Sequence, residues 1–455
     1  MRVGMRSETP HDARPHSGLS TLNFRVSIRS MPRITRRQAI TTLGALSLPL
    51  DRLLAQSTTP PVSTATTPKP LADLAPDLPN FQPMMEWLAR EHAPKLSFLD
   101  SKWKSLDAWK AAARPVLQDR LGYAPTPVPL KADVISREER EGFTLEVVHI
   151  SATPAYHIPA RVLIPKNRRG KLPAVLALHC HSGKYTWGHE KILSTPDEPA
   201  YLTEFRRGTY GRPWAEALVR RGFIVIVVDA FYFGERRLRV ESLEASRVYV
   251  EAKDSYLRAM AAKAGTQEWF EATNRVGSFY EHHTAKTITA TGATWPGIHV
   301  WDEMRTVDYL LSRPDVDAAR IGCAGLSGGG FRTAMAIAAD PRIKAACVTG
   351  WMTAFAHQIK HHLRHTWMIL TPGLYRSLDL PDAAALHAPG ALLVQQCRRD
   401  HLYPMSGMQA AVDKLTQIYA KAGIPERFHG TFYDEPHCFK PPMQDEAFAW
   451  LEKWL

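Results

Sequence analysis

A chain of 455 residues with 45% apolar and 22% charged residues can bury a sizeable core, which places it among globular proteins as one large domain with appendages, or two domains. The net charge of +12 resembles a polyanion-binding signal until it is located: eight arginines against Glu8 and Asp12 in the first 40 residues carry half of it. The remainder is spread thinly over the body, so nucleic acid is not an expected partner.

The first segment, residues 1–56, is a leader. From Met31 it reads MPRITRRQAITTLGALSLPLDRLLAQS, with a charged start, Arg36-Arg37, about a dozen mostly apolar residues and small residues near Ala55. That order is the pattern of a bacterial twin-arginine export signal, too short to span a bilayer, with Met31 as the expected true start. Export to the periplasm or beyond follows as an expectation. Residues 57–80 are rich in proline and threonine and read as an extended linker. No later stretch is apolar for the roughly 18 residues a membrane helix needs, so the mature body should carry no transmembrane segment.

Residues 81–130 have apolar positions three and four apart, which predicts a collar of two or three helices. The main domain, 131–455, opens with two alternating stretches, TLEVVHISA and HIPARVLIP, an antiparallel strand pair. The pattern then changes to solid apolar runs: LPAVLALH, FIVIVVDA, RIGCAG, IKAACVTG and GALLVQQC. Runs of this kind suit strands of a parallel sheet covered by helices on both faces. Helical segments, such as HVWDEMRTVDYLLSRPD and GGGFRTAMAIAADP, lie between them. The predicted fold is therefore α/β, a mostly parallel doubly wound sheet with an antiparallel pair at its start. Residues 236–299 interrupt the alternation with a helical insertion, where a lid or an oligomer contact could sit; the oligomeric state is not legible.

The five cysteines are odd in number, widely spaced and lack metal-ligand spacing, so they form no disulfide framework. A Cys180–Cys438 bridge stays open, since both flank loops that matter below.

Gly325-Leu326-Ser327-Gly328-Gly329 is a G-x-S-x-G sequence lying directly after an apolar strand and before a helix. Glycines at 325 and 329 permit a sharp strand-to-helix turn that holds the Ser327 hydroxyl clear at the sheet edge. A serine needs a base, and the base an orienting carboxylate. Asp400 follows the run GALLVQQC, and His437 follows the next candidate strand, giving the order Ser327, Asp400, His437. The oxyanion donors should be the backbone N–H of Gly328 and one from the loop HCHSGKYTW, where His181 is preferred and Ser182 held in reserve. His179 reads as a packing residue beneath that loop, and His401 as a surface residue.

These stretches, with YGRPWAEALVRRGFIVIVVDAFYFGERR and DEPHCF, give residues 81–455 a resemblance to the α/β-hydrolase superfamily, in its dienelactone-hydrolase-like and acetylxylan-esterase-like branch. The resemblance implies Ser327 as nucleophile, Asp400 as acid, His437 as base, an oxyanion donor within 179–183 and no cofactor. Dienelactone hydrolase carries a cysteine where this chain has Ser327, which argues against that lactonase activity. His179-Cys180 replaces the His-Gly pair of the family.

Histidine spacings at His179-x-His181, His282-His283 and His361/His365, the last pair placed on a helix, invite a metal reading. No HExxH occurs and no carboxylates stand at ligand spacing, so no metal is expected. Tyr185, Trp187, Trp295 and Trp351 are candidate substrate-stacking rings. The expected function is a serine esterase acting on acetyl or related esters of carbohydrates. The alternatives are a catalytically silent ligand-binding protein, a peptidase or a metallohydrolase.

Overall fold

A computed structural model describes residues 75–166, 169–363 and 365–455; the leader and most of the linker fall outside them. Within the collar are two helices, α1 (Gln82–Glu91) and α2 (Leu106–Leu121). Ser105 caps α2 by accepting the Ala108 N–H at 3.2 Å, and Gly122 ends it in the left-handed region at φ 60°.

Three antiparallel strands follow: β1 (Ala132–Arg140), β2 (Phe143–Thr153) and β3 (Tyr156–Pro165). The pattern predicted only a pair. β1 escaped because it is the edge strand, and its charged sequence ADVISREER is exposed along nearly its whole length. Six strands in parallel complete the sheet: β4 (Leu172–Leu178), β5 (Ile224–Val228), β6 (Val316–Leu326), β7 (Ile343–Thr349), β8 (Ala391–Cys397) and β9 (Phe428–Tyr433). Their spatial order is β1-β2-β3-β5-β4-β6-β7-β8-β9, with β3 antiparallel to β5.

The connecting helices are α3 (Ala200–Thr209), α4 (Trp214–Val219), α5 (Val250–Ala261), α6 (Gln267–Ala290), α7 (Trp295–Ser312), α8 (Gly328–Ala339), α9 (Leu380–Ala385), α10 (Met405–Lys421) and α11 (Pro441–Trp454). Side chains alternate between the two faces of the sheet as the period of a strand requires. Ala174, Leu176, Ile224 and Ile226 enter a core roofed by α2, α7, α8 and α10, whereas Val175, Ala177, Val225 and Val227 enter one roofed by α4 and α11. Each fully buried Leu or Ile contributes about 1.5–3 kcal/mol relative to exposure, which is why these runs are apolar on both faces.

The insertion contains α5 and α6, which share a small core of Val240, Ala252, Tyr256, Ala272 and Val276. Trp295, which the sequence reading placed within the 236–299 insertion, is instead the first residue of α7. That helix starts early because Thr294 caps it, accepting the Gly297 N–H at 3.0 Å and donating to Leu121 O. All five cysteines are buried free thiols, so Cys180 and Cys438 are not bridged. No helix among the described residues is long and apolar enough to cross a membrane.

Candidate active site

The turn from β6 into α8 is strained at one residue. Ser327 has φ 60° and ψ −119°, a conformation that costs a non-glycine residue on the order of 1–3 kcal/mol. Its N–H is fixed by donation to Thr349 O at 2.8 Å, and its hydroxyl takes no capping bond from α8, which leaves Oγ to the cavity in front of it. The glycines on either side allow close approach. A Cβ on Gly325 would lie 2.6 Å from the Gly329 carbonyl carbon, and one on Gly329 would lie 2.2 Å from Leu178 O. The elbow is therefore pressed against the end of β4, the strand that feeds the 179–183 loop.

That contact sets the second feature. Gly328 sits beside the loop, so that a Cβ there would be 3.2 Å from the His181 amide nitrogen. Neither N–H donates to another group among the described residues. Two neighbouring amides without another acceptor can receive a developing alkoxide. Ser182, the reserve candidate, is turned to φ 54° and its hydroxyl donates to His181 O.

His437 lies on the loop after β9 and Asp400 just past β8. His437 Nδ1 donates to Asp400 Oδ2 at 2.6 Å, and Asp400 Oδ1 accepts the Leu402 N–H at 2.8 Å. With Nδ1 protonated toward the carboxylate, Nε2 is left as the proton acceptor. Ser327, Gly328, His181 and His437 line one cavity of about 320 Å³.

Residues 289–455 match the prolyl oligopeptidase family. A provisionally named hydrolase of Bacillus subtilis (strain 168), YtaP, is 26% identical over 354 residues, covering 76% of this chain and 100% of that protein. A Bacteroides fragilis NCTC 9343 protein, provisionally named an acetyl xylan esterase, superimposes with a TM-score of 0.60 at 18% identity, over 77% of this chain and 81% of that one. A glucuronoyl esterase from Solibacter usitatus gives a TM-score of 0.53 at 17% identity, over 79% and 97%. The chain has the α/β-hydrolase fold.

Of the four candidate stacking rings of this chain, one reaches the cavity of Ser327. Tyr185 lines it, whereas Trp187 is buried among Tyr201, Phe205 and Phe270. Trp295 and Trp351 line a neighbouring cavity of about 350 Å³, apolar and aromatic, that also includes Phe355, Trp367 and Tyr375. Ile369 borders both spaces.

The remaining histidines sort by contact. His179 is buried, with Nε2 accepting the Ala230 N–H at 3.2 Å, and His401 is exposed. His361 and His365 do not share a helix as expected. The chain there turns, with His361 N and His362 N both donating to Gln358 O and His362 Nδ1 donating to Leu402 O. Among the described residues the cluster with ligand spacing is instead His189, Asp229 and Glu235. Its Asp229 carboxylate already accepts from His189 N, His189 Nδ1 and Glu235 N, and fastens the loops after β4 and β5.

Several cavity and loop residues lay beyond the sequence reading. Lys191, fully buried, donates to the carbonyls of Cys180 at 2.9 Å and His181 at 3.0 Å, and burial pushes its ammonium down to about 8. Arg332 on α8 lines the cavity and pairs with buried Glu303, at 2.9 Å through Nε. Burial raises the Glu303 carboxyl to about 7 against the opposing pull of Arg332. Arg332 Nη1 and His365 Nε2 have no partner among the described residues. Burial, with His181 nearby, pushes His365 down to about 4 and keeps it neutral near pH 7. From α6, Glu281 reaches the loop: burial would raise its carboxyl, but donors from His181, Tyr185 and Thr366 bring it down to about 2.

Proposed function

We propose that this protein is a serine esterase with Ser327 as nucleophile, His437 as base and Asp400 as the residue that orients and stabilises the imidazole. As Ser327 Oγ attacks the ester carbonyl carbon, its proton passes to His437 Nε2. The carbonyl oxygen becomes an alkoxide held by the N–H groups of Gly328 and His181. Collapse expels the alcohol, which takes the proton back from His437, and leaves an acyl group on Ser327. Water, deprotonated by His437, then attacks that carbonyl; the acid departs and the hydroxyl is restored. No step requires a metal or cofactor. The observation that carries this reading is the strained serine placed on the same cavity as an imidazole whose Nδ1 is 2.6 Å from a buried carboxylate.

The substrate class we infer is a carboxylic ester of a carbohydrate, with acetyl esters foremost. Its support is chemical: Ser182, Tyr185, Ser278, Arg332 and His365 line the cavity beside Ser327 and His437, a polar wall that suits a hydroxyl-rich molecule better than an alkyl chain. The esterase names of the structural relatives point the same way. The twin-arginine pattern of the leader adds export, which would bring the enzyme to polysaccharide outside the cytoplasm.

The test is intact-mass detection of a fluorophosphonate adduct on wild type and Ser327→Ala, followed by acid release from acetylated xylo-oligosaccharides, methyl glucuronate esters and prolyl peptide amides. One adduct lost in Ser327→Ala, with acetate released, supports the reading. Folded wild type without an adduct overturns the mechanism and leaves a binding protein. Cleavage of the amides without ester turnover would make it a peptidase, as the matched family description suggests.

A further inference from the structure

The insertion contributes a carboxylate to the oxyanion loop. On α6, Asn274, Gly277, Ser278 and Glu281 are spaced three and four apart and so share one face. Each meets the site. Asn274 Oδ1 accepts the Thr186 N–H at 2.9 Å, Gly277 lies against the Tyr185 ring, and Ser278 lines the cavity of Ser327. Glu281 accepts from four donors: His181 Nε2 at 3.2 Å and Tyr185 OH at 2.5 Å on one oxygen, Thr366 Oγ1 at 2.7 Å and Trp367 N at 2.8 Å on the other. The His181 ring is held at both ends, because its Nδ1 accepts the Gly183 N–H at 3.0 Å and so Nε2 is the protonated nitrogen that faces Glu281. Lys191 grips the carbonyls of Cys180 and His181 in the same loop.

A residue held by ring and carbonyl has little freedom left in its backbone N–H. Resting on the esterase reading above, we propose that Glu281 is a positioning residue that fixes the His181 N–H for the oxyanion and makes the 236–299 insertion part of the catalytic apparatus. Glu281 touches no reacting atom. It acts through His181, and by holding Thr366 it also fixes a residue that lines the cavity of Ser327.

The test compares wild type, Glu281→Gln and Glu271→Gln with p-nitrophenyl acetate as probe. Glu271 is an exposed residue of the same helix, so its variant controls for the loss of a charge. Loss of one oxyanion donor outright costs about 10²–10³ in kcat, so loosening one should lower kcat of Glu281→Gln by about 10- to 100-fold. KM should stay within about threefold, since the interaction is made in the transition state. The rate of fluorophosphonate inactivation should fall in parallel, because the phosphonate oxygen occupies the same donors. If Glu281→Gln does not fold, His181→Phe cuts the same bond from the other end and keeps the backbone N–H; it should show the same split. A folded Glu281→Gln with wild-type kcat, or a loss confined to KM, overturns the proposal. In that case labelling of wild type at Ser327 would leave the esterase reading standing, whereas absence of labelling in wild type would remove its basis.

Discussion

Asp400 Oδ2 stands 2.6 Å from Nδ1 of His437, although the two residues are 37 positions apart and reach each other from the ends of adjacent parallel strands. The carboxylate is buried and the imidazole partly exposed, so the proposed acid lies inward and the proposed base lines the cavity. Replacing the acid by its amide keeps the shape and reverses the hydrogen bond, which would favour the tautomer that cannot take the serine proton. Asp400→Asn should therefore lower kcat by about 10³–10⁴ while leaving the thermal midpoint nearly unchanged. Ester turnover and a melting curve on the same preparation check both halves.

A methyl group distinguishes two glycines. In Gly329→Ala the new carbon would lie 2.2 Å from the Leu178 carbonyl oxygen, a backbone atom inside the sheet that cannot step aside. Destabilisation of about 3 kcal/mol or more and loss of serine labelling are expected. Gly208, within α3, has open space at the same point and an ordinary helical backbone. Gly208→Ala should instead stabilise by about 0.5–1 kcal/mol. Urea midpoints of the two variants measure the contrast.

Acid should act partly through Glu281. Its carboxyl falls from the usual 4.5 to about 2 in the folded protein, because its donors outweigh burial. The folded value is the lower one, so the stabilisation is fully present above pH 4.5 and is lost as pH falls toward 2. The magnitude is on the order of 3 kcal/mol. Glu281→Gln should show a flatter dependence of stability on pH across that window, read from urea unfolding at several pH values. An unchanged slope would mean that the carboxylate is not held as its contacts indicate.

The buried Arg332–Glu303 pair should behave asymmetrically. Arg332→Met leaves a carboxyl wholly buried without its cation and should cost about 3–5 kcal/mol. Adding Glu303→Leu should recover most of that loss, because the orphaned acid is then gone. Calorimetry of the single and double variants decides it.

The strands that carry the proposed nucleophile and acid were legible because each ends in an apolar run buried on both faces, with the reactive residue just past its C-terminal end, whereas β9 before the proposed base is a partly exposed edge strand, FHGTFY, legible by its place in the chain order. That placement follows from the parallel sheet itself. The glycines of the elbow were legible for a related reason, since only close packing of backbone on backbone requires them. Other features had no such signal. The pattern of α6 announced a helix, but periodicity gives a face and not its partner, so Glu281 looked like any charge in a mixed insertion. Trp187, Trp295 and Trp351 read as rings near a mouth, yet stacking on neighbours and lining a second cavity satisfy a tryptophan equally well. The four-residue spacing of His361 and His365 misled because the chain at His361 and His362 is organised by turns rather than by a helix, with both amides on Gln358 O and the His362 ring on Leu402 O.

Successive residues of a helix are rotated by about 100°, and α6 is pinned at its start by Thr266, whose hydroxyl accepts the Trp269 N–H. One residue added or removed between Thr266 and Glu281 would swing the carboxylate about a quarter-turn or more away from His181. Segments outside the alternating strands and helices are usually where length varies freely during divergence, but here the spacing from residue 266 to 281 is a fixed measure. Exchanging this insertion between relatives would succeed only where that count is kept.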